Sequence, residues 1–131
     1  MAQTPSSPVS GSKLRFYVLW GLQIFAALGF IAAGTFKLIS NPQMVTIFEQ
    51  IGIGQWFRYV TGVVEVVGGL ALLRAVSAPF GAVLLAATMF FAVLTHLFVI
   101  GGSPVPALFL LVVTSTIAWL RRDQIESLVR N

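Results

Sequence analysis

Four stretches of the chain are almost free of charge: about Leu14 to Ser40, Gln55 to Leu73, Ala78 to Ile100 and Pro104 to Leu120. A helix needs roughly 20 residues, within a range of about 17–25, to cross the hydrocarbon core of a bilayer. Each stretch therefore predicts a membrane-spanning helix, the fourth being the shortest. Between the first two, Pro42 to Ile51 puts Met44, Val45, Ile47, Phe48 and Ile51 mainly on one side and stops at Gly52. A segment of that length cannot cross, and it predicts a short amphipathic helix at the surface or folded into the bundle mouth. Asn41-Pro42 and Ser103-Pro104 read as caps followed by proline at the first helical position, and Ser77 is placed to cap the third span. The expected fold is all-α, an integral membrane four-helix bundle over residues 13–122. A disordered lead (1–12), rich in Pro, Ser and Gly, precedes it. A tail (123–131) follows, in which the i, i+4 spacing of Arg122, Glu126 and Arg130 prolongs the fourth helix.

Composition supports that reading. Of 131 residues 57% are hydrophobic and 9% charged, against about 25% charged in soluble domains, and mean hydropathy is +0.93. With no cysteine, disulfides, thiolate metal sites and CxxC redox relays are excluded. The single histidine excludes bis-histidine haem ligation within one chain. Lys13 and Arg15 ahead of the first span resemble a signal peptide's basic start, but the apolar run far exceeds a signal's roughly 7–15 residues. The net charge of +4 is no nucleic-acid signal, because the basic residues flank the apolar runs. Lys13, Arg15, Arg74, Arg121, Arg122 and Arg130 fall on one side, leaving Lys37 and Arg58 towards the other. The positive-inside rule then expects a cell-membrane protein with both termini in the cytoplasm. Trp20 and Trp119 lie near the inner interface, and Trp56 and Tyr59 near the outer one.

Against this background three ionisable residues stand out. Glu65 lies about 15 Å into the second span, given the ~1.5 Å rise per residue, where a carboxylate must face protein or water. Gly62, Gly68 and Gly69 share its face and mark where helix backbones approach. Lys37 continues a small-residue stripe of Ala26, Gly29 and Ala33. His96 continues one of Ala78, Ala82, Thr88, Met89 and Ala92. Side chains lean towards the helix N-terminus, so all three tips are expected to converge in the outer half of the bundle, with Arg58 as a roof. Two readings stay open. The cluster is a lock that satisfies buried charges and fixes helix register, or it is a working site, as intramembrane ionisable groups often are. Taken singly, His96 reads as a satisfied histidine near a helix end and Lys37 as a snorkelling lysine. A working site could relay a proton between Glu65 and His96, or bind the polar head of a lipophilic molecule such as a quinone, with Phe36, Phe57, Phe90, Phe91 and Phe98 around the rest. No catalytic motif, phosphate-cradling loop or metal-ligand set is visible.

Gly34-Thr35-Phe36-Lys37-Leu38 ends the first span, Gly62-Val63-Val64-Glu65-Val66-Val67-Gly68-Gly69 lies in the second, and Ala92-Val93-Leu94-Thr95-His96 closes the third. In their order and placement these elements resemble the DoxX-like family of small membrane proteins, over about Leu14 to Leu120. The resemblance implies a four-helix membrane bundle with matching positions at Lys37, Glu65 and His96, and it brings no established catalytic residue. The family takes its name from an association with a thiosulfate:quinone oxidoreductase, and other members are linked to oxidative stress and membrane assembly. The expectation is an accessory or binding subunit, non-catalytic, in quinone-linked redox chemistry, with any redox cofactor in a partner enzyme subunit or a bound quinone. A small proton-coupled transporter and a structural assembly protein are the alternatives. The three glycines would also permit a homodimer.

Overall fold

The computed structural model describes residues 9–130. The disordered lead expected over 1–12 falls largely outside the described residues, and from Val9 onward the chain is already helical. Helix α1 (Val9–Leu38) has 30 residues, about 45 Å at the α-helical rise. It ends where Ser40 takes a positive φ of 60°. Helix α2 (Pro42–Ile51) begins as expected: the Asn41 side chain accepts the Gln43 N–H at 3.0 Å and proline stands in the first turn. It stops at Gly52, whose left-handed φ of 86° lets its N–H donate back to the Phe48 carbonyl, the conformation glycine adopts without a Cβ penalty. Helices α3 (Trp56–Ala71), α4 (Ala78–Thr95), α5 (Val105–Leu120) and α6 (Arg122–Val129) follow, with a π-helical turn at His96–Ile100 that continues α4.

The four expected runs correspond to α1, α3, α4 and α5. Gly11–Leu38 and Ala78–Ile100 are long and apolar enough to cross a membrane. Helices α3 and α5 have 16 residues each, about 24 Å, shorter than the expected runs. The cap expected at Ser77 does not form. Its hydroxyl donates to the Ala71 carbonyl at 2.8 Å, closing the α3–α4 turn instead. Ser103 does accept the Val105 N–H, at 3.2 Å.

Helices α1, α3, α4 and α5 close a ring, with α1 packed most extensively on α3 and α4 on α5. Glycines set the separations. A Cβ on Gly34 would stand 2.6 Å from the Gly62 carbonyl oxygen, and one on Gly69 would stand 3.1 Å from that of Ala27, so α1 and α3 touch backbone to backbone. A Cβ on Gly68 would stand 2.7 Å from the Leu85 side chain of α4. Gly62, Gly68 and Gly69 thus all pack against other helices of the same chain. Gly29, counted in the Lys37 stripe, faces open space. Ala26, Ala27, Phe30, Leu72, Ala82, Leu85 and Ile117 fill the centre with no exposure, while Leu28, Val63, Phe80 and Val112 point outward, as a lipid-facing surface requires.

The end of the ring remote from α2 is tied by a polar network. The fully buried Gln23 donates to the Leu72 carbonyl at 2.7 Å and accepts from Arg121 Nε at 2.5 Å. Arg121 Nη1 reaches Gln124 Oε1 at 2.8 Å, and Gln124 Nε2 donates to the Ala75 carbonyl at 3.0 Å. Partial burial lowers the Arg121 pKa from its usual value. Because Arg121 is pulled inward, its backbone leaves helical geometry and α6 turns 59° away from α5. This corrects the expected straight prolongation of the last helix.

Candidate functional site

The Gly34–Gly62 approach brings the end of α1 against the middle of α3, within reach of two long side chains. Lys37 Nζ lies 2.8 Å from Glu65 Oε1, with the lysine side chain 14% and the glutamate side chain 3% exposed. This is the one ion pair among the described residues. A bare carboxylate at that depth is costly, and the contact gives the glutamate a charge partner and a hydrogen-bond donor at once.

Arg58 does not roof the site. Its buried guanidinium donates to the Lys37 carbonyl, to Gln55 Oε1 at 2.7 Å through Nε, and stacks over the Tyr59 ring at 4.3 Å. It shares the Lys37 carbonyl at the end of α1 with the Ser40 N–H and clamps that end to α3. Lys37 is thereby held twice, by its backbone and by its side chain.

His96 opens the π turn. Gly101 and Gly102, both at positive φ (71° and 75°), fold the chain back so that the Gly101 carbonyl lies 3.0 Å from His96 Nδ1. A carbonyl only accepts, so Nδ1 carries the proton, and in the neutral ring Nε2 is left as an acceptor. His96 has no hydrogen bond to Glu65, so the two do not form a direct proton relay.

Lys37, Glu65 and His96 nevertheless line one cavity of about 460 Å³, within the range of small-molecule sites. Helix α2 closes it with Met44, Ile47, Phe48 and Ile51, and α5 contributes Pro106, Ala107 and Leu110. Of the expected aromatic lining, Phe57 and Phe91 are present, joined by Phe48. Phe36, Phe90 and Phe98 are instead outward-facing, Phe98 being 79% exposed. Thr61, Thr88 and Thr95 also line the space, and each hydroxyl donates to the carbonyl four residues before it at 2.8 Å.

Of the two placements expected for α2, the structure shows it folded against the bundle as a wall, whereas sequence reasoning missed Thr95 as a lining group. A signal for Thr95 existed. Thr88, Ala92 and Thr95 recur at helical spacing next to His96, a polar stripe on an otherwise apolar span. For α2 the amphipathic face was visible, but nothing in one sequence says whether such a face meets lipid or protein.

The sequence model of the DoxX-like family matches residues 21–120. No curated protein and no solved structure matches the chain.

Proposed function

This chain belongs to the DoxX-like family, and from that premise we propose that it binds a small lipophilic molecule with a polar head, of the quinone type, in the cavity lined by α1, α2, α3, α4 and α5. It is a multi-pass membrane protein. In this proposal it crosses the cell membrane four times with both termini in the cytoplasm, and serves a redox enzyme as a non-catalytic accessory subunit. The observation that carries the reading is the Lys37–Glu65 pair standing in the wall of a cavity of about 460 Å³ that is otherwise mostly apolar. Ligand sites combine an apolar lining with a few convergent polar groups in this way. The amphipathic helix α2 closes the cavity on one side.

A second reading is favoured by one observation. The pair is closed on itself and its lysine is also clamped through Arg58, as a lock between α1 and α3 would be. Mass spectrometry of lipid extracts from purified protein separates the two. A quinone-like amphiphile that co-purifies with the wild type, and is lost from Glu65→Gln and His96→Ala while both remain folded, supports the binding site. No co-purifying amphiphile, together with a large fall in melting temperature for Glu65→Gln, supports the lock.

A further inference from the structure

The hydrogen-bonding capacity left over in the cavity is lopsided, and this bears on which ligand it takes. Five lining groups can only accept. The hydroxyls of Thr61, Thr88 and Thr95 have each committed their single proton to a backbone carbonyl, leaving lone pairs. His96 has committed Nδ1–H to the Gly101 carbonyl, leaving Nε2 as an acceptor in the neutral ring. The Glu65 carboxylate has lone pairs beyond the one that meets Lys37. Against these stands one donor, the Lys37 ammonium, with N–H groups not used by Glu65.

A head group with carbonyl oxygens alone can be met only at Lys37 and offers no donor to the spare lone pairs of Thr61, Thr88, Thr95, His96 and Glu65. A hydroxyl head both accepts from Lys37 and donates to an acceptor. We infer that the cavity takes the hydroxyl-bearing, reduced form of an aromatic amphiphile, a phenol or hydroquinone head on an apolar tail, in preference to the carbonyl-only quinone form. This rests on the binding function proposed above and specifies its ligand. A protein with that preference holds the reduced member of a quinone couple beside whatever enzyme oxidises it or has just produced it.

The test uses full-length protein in detergent under anaerobic conditions, titrated by thermal shift with three probes of equal tail length. These are decylhydroquinone, decylbenzoquinone and the dimethyl ether of decylhydroquinone, which keeps the apolar bulk and loses the donors. The expected result is binding of the hydroquinone about tenfold tighter than either other probe, the effect of one or two net hydrogen bonds. In a Thr88→Val/Thr95→Val variant, which removes two acceptors without touching the ion pair, that preference narrows to about threefold or less. Equal or tighter binding of the quinone overturns the inference and leaves the binding function standing. A preference unchanged in the double variant overturns it as well, because the acceptors are then not its source. Binding of none of the three overturns both.

Discussion

Lys37 and Glu65 are the pair on which the bundle's chemistry turns, and their energetics follow from burial. Removing one partner strands the other charge, which costs about 3–5 kcal/mol for a buried pair, whereas replacing both with apolar residues of similar size is often neutral or stabilising. Lys37→Met and Glu65→Leu should each lower the melting temperature markedly, while the double variant should recover most of the loss. A double variant as unstable as the sum of the singles would mean that the two side chains do not interact. Glycines give a second contrast at this scale. Gly34→Ala drives a methyl to 2.6 Å from a backbone oxygen that cannot step aside, an overpacking that costs about 1–3 kcal/mol. Gly29→Ala meets nothing and exchanges the poorest non-proline helix former for the best, about 1 kcal/mol in favour. Thermal melts of the two variants should therefore move in opposite directions.

Among the elements, α2 and the α5–α6 elbow decide how the site opens and how the far end closes. Helix α2 carries one buried residue, Phe48, whose ring meets Phe57 at 5.8 Å between centroids. Phe48→Ala should loosen this wall, seen as faster amide exchange across residues 42–51 with little change in α1 and α4. Slower or unchanged exchange would show that α2 is held by something other than this contact. The elements were largely legible in the sequence. Asn41, Pro42 and Gly52 act through local backbone chemistry, and so α2 was readable to its end residues. What was not legible depended on turn geometry or on partners distant along the chain. Ser77 satisfies α3 instead of capping α4, and Arg121 turns α6 because Gln23, on the first helix, accepts from it. Gln23 gave no warning, since one amide in an apolar run looks the same facing lipid or core. The Lys37–Glu65 juxtaposition followed from helix direction and small-residue faces, but the diversion of His96 to Gly101 and of Arg58 to the Lys37 carbonyl depended on loop paths that periodicity does not encode.

At the scale of the whole molecule, charge is sorted along the bundle. The end that holds α2 carries Lys37 and Arg58, and the opposite end carries Arg15, Arg74, Arg121 and Arg122. In the topology proposed above, the positive-inside bias puts the α2 end outward. The natural absence of cysteine makes the orientation easy to probe. In intact cells an impermeant maleimide should label Gln50→Cys but reach Ser127→Cys only after permeabilisation. The reverse pattern would invert the orientation and place the cavity mouth on the cytoplasmic side.

The most direct test of the binding site is equilibrium binding of decylhydroquinone to Lys37→Met/Glu65→Leu beside the wild type. The double variant is chosen because it removes the polar wall while the helices stay packed. The account expects affinity to fall by about tenfold or more in a variant that melts within a few degrees of the wild type. Unchanged affinity in the folded variant would contradict it.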